Sequence, residues 1–294
     1  MHFDLIDLRL FINTLEAANI TAGAERSHLS LAAASARIRA MEASLGTPLL
    51  NRTRRGVNPT PAGLALGQHA RRVLQQVDHL QFDLAQFAKG SQGLVRLLCN
   101  TAALTEYLPE LLAGFLQRFS GVDLDVQERP SLQSVQDLRD GRADLAILSD
   151  AVDASGLQTL AFRDDPLVLI MPRHHPLTQT QSPDFIASLD HRHVCLGAKS
   201  ALALHLDEQA RRSARRLAVR VRAEGFDGLI RMVAHGAGVG VVPRAAAERC
   251  HGHLDFIIEP LSEPWAARKL VLCATDFASL PGYARGLVEV LQEQ

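Results

Sequence analysis

Five arginines near the start of the chain stand where guanidinium chemistry is useful. Arg37 and Arg39 lie in SHLSLAAASARIRAMEASLG (27–46), a stretch of small side chains, and Arg52, Arg54 and Arg55 lie in LLNRTRRGVNPTPAG (49–63). A guanidinium is a planar fork of donors that fits a phosphate or the edge of a guanine. Other chemistries find no such grouping. There is no Gly-x-Ser-x-Gly elbow for a nucleophile and no carboxylate pair set up for acid–base work. The histidines His174, His175, His191, His193, His251 and His253 read as loop residues without a Cys or carboxylate at metal-ligand spacing, so no metal and no cofactor is expected. The whole chain carries a formal charge of −1, but unevenly. Residues 1–75 hold nine arginines against five carboxylates, whereas residues 91–294 hold 21 basic and 25 acidic residues. A basic front and an acidic rear imply different partners.

The elements that must position these arginines are short helices. Leu5, Leu8, Ile12 and Leu15 recur at spacings of three and four, which predicts an amphipathic helix over 5–18, broken at Asn19. Thr21 is a candidate N-cap for a helix from Ala22 to Arg26, His28-Leu29 is a turn, and Ser30 is the next candidate N-cap. In the third helix Ala34, Ile38, Met41 and Leu45 form a narrow buried stripe, and Gly46 with Pro48 ends it. Its other faces carry only Ala, Ser and Arg, so the backbone can approach another surface closely. Two helices, a turn and a third lean helix make a helix-turn-helix, whose last helix enters a major groove. Arg52, Arg54, Arg55 and Gly56 then form a basic hairpin turn suited to phosphates or a minor groove. A solvated basic loop explains three arginines equally well in isolation; their place directly after a helix-turn-helix favours a wing.

Thr60-Pro61 starts another helix. Leu66, Ala70, Val73, Val77, Leu80, Leu84 and Phe87 repeat at alternating spacings of four and three, a heptad seam running to about Ala88. A long core helix would show the same stripe. Self-pairing is the reading preferred here, because groove readers of this kind bind twofold half-sites. Lys89-Gly90-Ser91-Gln92-Gly93 reads as the boundary to a further domain.

The front resembles the LysR-type transcriptional regulators. The carrying residues are Leu8 to Phe11, ITAGAERSHLS (20–30), MEASLGTPLLNRTRRG (41–56) and PTPAG (59–63), in order and without a gap over 5 to about 75. The rear also fits, so the resemblance spans nearly the whole chain. It implies a homotetramer built as a dimer of dimers on promoter DNA, with RNA polymerase a candidate partner. The departures are specific. The family's third helix commonly opens Ser-Gln-Pro-Ala, where this chain has Ser30-Leu31-Ala32-Ala33, and Ala36 stands at a position that is commonly polar. Leu31 and Ala32 are therefore expected against thymine methyls, with Ser35 and Arg39 left for polar contacts. Thr21, Ser30, Arg37, Arg52, Arg54 and Arg55 complete the expected DNA-contact set. Gly23 for a common Ala and Leu50 for a common Phe read as loosened packing.

From Leu94 the pattern turns to alternating strands and helices: LVRLLC, the helix LTEYLPELLAGFLQRF, VDLDVQ, the helix SLQSVQDLRDG and ADLAIL. That order predicts a mostly parallel sheet with helices on its faces. A second lobe starts near PLVLIMP and takes in HVCLG, LAVRVRA, the helix FDGLIRMVAHG and VGVVP; KLVLCAT and a last helix, 280–292, return to the first lobe. GAGVGVVP (236–243) leaves a helix and enters a strand, the reverse of a phosphate loop. The fold class is thus α/β with an all-α N-terminal part. It comprises a winged helix-turn-helix (1–58), a linker helix (59–90) and a two-lobed, periplasmic-binding-protein-like effector domain (91–294), with lobe I at about 91–162 and 267–294 and lobe II at about 163–266.

Ligands in such folds sit beyond the carboxyl ends of strands, between the lobes. The candidate effector lining is Asn100, Thr101 and Ala102 after the first strand, Pro130 and Ser131 after the second, Ser149 after the third, Gly197, Ala198 and Ser200 in the second lobe, and Gly225 with Phe226 at a helix start. Thr101 and Ser131 match positions where the family often binds effectors, and hydroxyls at helix N-termini suit an anion such as a carboxylate. Simple capping also explains both residues. Cys99, Cys195, Cys250 and Cys273 are far apart, which fits a reducing cytoplasm, and the strand cysteines Cys99 and Cys195 read as buried, inert thiols before they read as a redox switch. No basic-then-apolar leader and no span of about 18 apolar residues is seen, so a cytoplasmic protein without a membrane partner is expected. The reading is a DNA-binding transcriptional regulator, not an enzyme, whose DNA contacts respond to a small-molecule effector. Two alternatives stay open: a DNA-binding assembly protein whose rear binds no ligand, and a cytoplasmic enzyme on a two-lobed fold.

Overall fold

Asp4 starts the first helix, α1 (Leu5–Ala17), through a capping box: its carboxylate accepts from Asp7 N at 2.9 Å, and Asp7 Oδ2 accepts from Asp4 N at 3.0 Å. The computed structural model describes residues 3–53, 56–85 and 93–293. They divide into two compact units, a front one through Gly93 and a rear one through most of the chain from Leu94.

In the front unit α2 (Ile20–Arg26) begins two residues earlier than a Thr21 cap would allow. Asn19 is its N-cap, accepting from Thr21 N at 2.7 Å, so Thr21 is an exposed helical residue and not a cap. Ala18, at φ +50°, closes α1, and Asn19 starts α2, because an amide side chain caps better than a threonine. Ser30 caps α3 (Leu31–Leu45), accepting from Ala33 N at 3.2 Å, and Gly46 closes it at φ +65°. Leu8, Leu10, Phe11, Ala24, Ala34, Ile38 and Met41 fill the core between the three helices. Gly23 does not loosen it. A Cβ there would stand 2.4 Å from Thr14 Oγ1 and 2.7 Å from Thr14 Cα, so glycine lets α2 lie closer to α1 than alanine permits. The strands β1 (Leu50–Thr53) and β2 (Gly56–Pro59) form an antiparallel hairpin. Gly56, at φ +133°, brings the backbone so near the end of α1 that an added Cβ would meet Ala18 O at 2.3 Å. Helix α4 (Pro61–Ala85) follows, with Thr60 Oγ1 accepting from Gly63 N at 3.0 Å.

The expected seam along α4 has two uses. Ala70, 1 % exposed, belongs to the front core, and half-buried Leu66 packs against that core, so Ala70 is not a self-pairing residue. The first turns of α4 lie against α1, which consumes the stripe there. Further on, Val73 and Leu80 are 44 % and 56 % exposed and Val77 is half-buried. Phe87 and the side chain of Leu84 lie outside the described residues.

The rear unit holds two lobes. In lobe I, β3 (Gly93–Cys99), β4 (Val122–Glu128), β5 (Leu145–Ser149), β6 (Gln158–Asp164) and β12 (Lys269–Ala274) form one sheet in the order β4-β3-β5-β12-β6. β3 and β5 are parallel, whereas β12 runs antiparallel to both β5 and β6, so the sheet is mixed where a mostly parallel one is expected. The late strand returns from lobe II and enters against the others. Helices α5 (Leu108–Arg118), α6 (Ser131–Arg139) and α11 (Gly282–Gln292) belong to the same lobe. The single helix expected over 104–119 is interrupted. Ala103–Tyr107 winds as a π-turn before α5, because Pro109 has no N–H to donate to the carbonyl four residues back.

Lobe II is built on β7 (Leu167–Met171), which pairs antiparallel with β10 (Gly240–Pro243) and β11 (Ile257–Pro260). Beside them β8 (Arg192–Leu196) and β9 (Ala218–Ala223) are parallel. Around these strands lie the short helix α7 (Phe185–Ser188), α8 (Ala201–Arg212), α9 (Phe226–Ala234) and α10 (Arg244–His251). The chain crosses between lobes at Asp165 and Arg268. Their backbones are bonded, Asp165 N to Arg268 O at 3.1 Å, and the Arg268 guanidinium pairs with the fully buried Asp165 carboxylate. Burial pushes the Asp165 carboxyl up in pKa, and Arg268 opposes the rise.

Candidate DNA-reading face and effector cleft

The outer face of α3 is lean and free. Leu31 is 49 % exposed, Ala32, Ala36, Arg39 and Ala40 are exposed, and Ser35 is half-buried. No partner for Arg39 is seen among the described residues, which leaves its guanidinium to an external acceptor. Arg37 has a different job from the one expected. Its Nη1 stands 2.7 Å from Asp7 Oδ1 and 3.4 Å from Asp4 Oδ1, so it ties α3 to the capping box of α1. These carboxylates raise its pKa, the Asp7 hydrogen bond foremost. Nothing in the spacing of the helix announces partners 30 residues away. Arg52 is exposed on β1, while Arg54 and Arg55 lie outside the described residues. Arg52→Ala should weaken binding to every DNA sequence alike and lower the slope of log affinity against log salt by about one, in fluorescence anisotropy over a salt series.

Between the rear lobes lies one cleft with two hollows. The first, about 580 Å³, is lined by Asn100, Thr101, Glu128, Arg129 and Pro130 from lobe I and by Gly197, Ala198, Lys199, Ser200 and Glu224 from lobe II. The second, about 530 Å³, shares Asn100, Pro130 and Ala201 with it. It adds Ser131, Ser149, Leu132, Leu204, His205, Arg212, Trp265 and Arg268. Eight expected residues thus line the cleft: Asn100, Thr101, Pro130, Ser131, Ser149, Gly197, Ala198 and Ser200. Three do not. Ala102 and Phe226, each 2 % exposed, are core residues, and Gly225 serves as the N-cap position of α9. An amphipathic helix turns its large apolar side chain inward at its first turn, which is why Phe226 faces away from solvent.

Several hydroxyls here are committed to the fold. Ser131 Oγ accepts from Ser149 N at 3.3 Å, and Ser200 Oγ caps α8 by accepting from Ala203 N at 3.1 Å. Thr101 Oγ1 donates to Glu128 Oε1 at 2.5 Å. The residues missed from sequence include Glu128, Arg129, Leu132, Lys199 and Glu224, besides those contributed by α8 and by the return to lobe I. His205 stacks edge-on with Trp265 at 5.3 Å between ring centres. Its pKa is lowered, by burial first and then by Arg268 and Arg212, and its buried Nε2 has no hydrogen-bond partner among the described residues. The Ser200 cap followed by apolar Leu202 and Leu206 was a readable signal for α8; the approach of Trp265 and Arg268 was not. Glu106, on the π-turn, accepts two hydrogen bonds from the Arg249 guanidinium of α10, at 2.9 and 3.0 Å. Arg249 also reaches Asp227 at 2.8 Å, so a single guanidinium ties lobe I to two helices of lobe II.

Burial pushes the Cys99 thiol up to about 12 and the Cys195 thiol up to about 11, the direction of an unreactive thiol. The histidines do not all lie on loops. His193 is on β8 and fully buried, and His175 and His191 stack edge-on at 4.6 Å. Among the described residues no group of His, Cys, Asp and Glu could hold a metal ion.

A helix-turn-helix with a free small-sided helix, joined to two α/β lobes around a cleft, defines a DNA-binding regulator with a sensing domain. Residues 5–64 match the bacterial regulatory helix-turn-helix proteins of the lysR family, and residues 88–294 match the LysR substrate binding domain. The chain belongs to the LysR family and is a DNA-binding transcriptional regulator. It is 27 % identical over 246 residues to the HTH-type transcriptional regulator AlsR of Bacillus subtilis, covering 83 % of this chain and 81 % of AlsR. Among solved structures, a full-length OxyR variant from Pseudomonas aeruginosa superposes with a TM-score of 0.71 at 22 % identity, covering 100 % of this chain and 96 % of that one. Full-length CbnR complexed with its target DNA gives a TM-score of 0.62 at 18 % identity, covering 99 % of each chain.

Proposed function

We propose that residues 1–58 read promoter DNA with Leu31, Ala32, Ser35 and Arg39 at base edges and Arg52, Arg54 and Arg55 at phosphates. The observation that carries this is the exposed, small-sided face of α3 with Arg39 upon it, without a partner among the described residues. In this reading Ser30 and Thr21 approach the backbone near the helix starts, and Arg37 supports α3 from behind. The linker, residues 59–90, pairs subunits through the later part of its stripe, exposed Val73 and Leu80 with half-buried Val77 between them, and pairs assemble into a tetramer. The apolar groove of about 510 Å³ beside it, lined by Phe3, Leu8, Leu45, Leu49, Leu66 and Val73, supports the same surface.

The rear unit, residues 91–294, binds a small-molecule effector in its cleft. Binding shifts the population of lobe arrangements and so the spacing or bending of the DNA contacts. RNA polymerase is a further partner, the protein works in the cytoplasm, and it catalyses no reaction. Among the described residues no helix is long and apolar enough to cross a membrane.

The test is a footprint of the full chain on the DNA upstream of its own gene, over a salt series. Two protected half-sites with affinity falling steeply in salt are expected. One unpaired site would sink the pairing, and a salt-insensitive footprint would sink the phosphate contacts. A metabolite screen on the same fragment tests the cleft. Any ligand that alters the footprint should lose most of its effect in Ser131→Ala, measured against that variant's own ligand-free pattern.

A further inference from the structure

The Thr101 end of the cleft is not an anion site of one sign. Thr101's hydroxyl proton is already given to Glu128, whose exposed carboxylate lines the first hollow from lobe I. A carboxylate ligand placed on Thr101 would meet that charge at contact distance, and like-charge contact opposes it. Arg129 does not offset it freely, because its guanidinium is drawn back to Gln127 Oε1 at 2.9 Å and to Glu128 O at 3.2 Å. An ammonium group is the complementary occupant. Glu224 of lobe II adds a second carboxylate to the same hollow.

Two features of the hollow ask for the opposite charge. Lys199 is exposed on the loop that leads into α8, next to the open amides of that helix's first turn. Asn100 is 5 % exposed and lines both hollows; its Oδ1 is used by Ala103 N at 2.8 Å, and its amide nitrogen has no partner among the described residues. Those two donors are available to a carboxylate. The second hollow, reached past Asn100 and Pro130, is apolar on several sides: Leu132 and Leu204 are 72 % and 50 % exposed there, beside Val152 and the Trp265 ring. Exposed side chains of this size inside a concave site mark a place for an apolar group.

We infer that the effector is a zwitterion with an apolar body, an α-amino acid with an apolar or aromatic side chain. Its ammonium sits at Glu128 on Thr101, its carboxylate at Lys199 and Asn100, and its side chain lies along Leu132, Leu204 and Trp265. Glu128 of lobe I and Lys199 of lobe II take opposite ends of the ligand, so it bridges the lobes and draws them together. This inference rests on the cleft reading above and narrows it.

The test is calorimetric titration of the full chain with L-leucine, L-phenylalanine, 3-phenylpropanoate and 2-phenylethylamine. L-phenylalanine or L-leucine should bind, and for L-phenylalanine each half-molecule should be at least tenfold weaker. Glu128→Gln should shrink the preference for L-phenylalanine over 3-phenylpropanoate by at least tenfold, and Lys199→Met should shrink its preference over 2-phenylethylamine. Equal or tighter binding of 3-phenylpropanoate overturns the inference, as does a preference unaltered in Glu128→Gln, or no binding by any of the four. The cleft reading fails separately. If a ligand from the broad metabolite screen keeps its effect on the footprint in Leu132→Trp, which fills the cleft from an exposed position, the cleft is not the effector site.

Discussion

Ala32→Asp is expected to abolish specific DNA binding while leaving the helix that carries it slightly more stable. Ala32 is the second residue of α3 and is exposed. A carboxylate in the first turn of a helix is favoured by the helix dipole by about 0.3–1 kcal/mol. In the proposed docking the same carboxylate is pressed toward phosphates and thymine methyls, neither of which supplies a donor to pair with it. Like-charge contact and the desolvation of an unpaired charge together cost about 3 kcal/mol or more, roughly a hundredfold in affinity. Fluorescence anisotropy on the footprinted fragment reads the loss, and a urea melt of the same sample reads stability. Retained affinity with an unaltered footprint would show that α3 does not lie in the groove. A fall in stability would remove the separation between folding and reading on which the experiment depends. Ser35→Ala is a milder companion, since a half-buried hydroxyl can shape site preference without dominating affinity.

What the sequence shows of this molecule depends on the range of the forces involved. The stripe Ala34, Ile38, Met41 is set by helix periodicity and is visible within 15 residues, and all three are buried. Ser30 is read correctly as a cap for the same reason, since capping is decided within three residues. Where two adjacent residues compete for one local task, sequence is ambiguous: Asn19 and Thr21 can each cap, and the amide prevails. Long-range pairings are invisible. Arg37 reads as a DNA contact until Asp7 is brought to 2.7 Å by the packing of α1 on α3. Glu128 is a routine strand-end carboxylate until β3 and β4 place it on Thr101, and that changes the chemistry expected of the cleft. Gly23 shows the same limit in packing, because a missing methyl group reads as a gap until the neighbouring backbone is found 2.7 Å from where it would be. The strand-end rule located most of one wall of the cleft because topology alone fixes those positions. The other wall depends on α8 and on the return at Trp265 and Arg268, which only the closed fold brings near.

The stability of the rear unit should fall between about pH 6.5 and pH 4, and His193 is the main cause. The ring is fully buried on β8. Its Nδ1 lies 3.1 Å from the His191 carbonyl and so carries the proton, while Nε2 lies 3.2 Å from Ser188 Oγ, whose own proton is donated to Phe185 O at 2.6 Å. Burial pulls its pKa from 6.5 down to about 4, and nearby His191 and His175 add to the fall, against a rise from the bond to the His191 carbonyl. His175 is lowered too, by burial and then by His191, so it resists protonation alongside His193. The folded chain therefore binds this proton less readily than the unfolded chain does. The resulting stabilisation is fully present above pH 6.5 and is lost as pH falls toward the folded value, because there the unfolded state takes up the proton first. The difference between 6.5 and about 4 corresponds to roughly 3 kcal/mol, at about 1.4 kcal/mol for each tenfold change in proton affinity. Urea melts of the full chain at intervals across this range should show the transition of the rear unit moving to lower urea as pH falls. His193→Gln, which keeps a polar side chain but cannot take up the proton, should start less stable and lose most of that pH dependence. An equal slope in the variant would assign the acid sensitivity to His175, His191 or the surface carboxylates, and would leave His193 a buried ring whose charge state does not matter to folding.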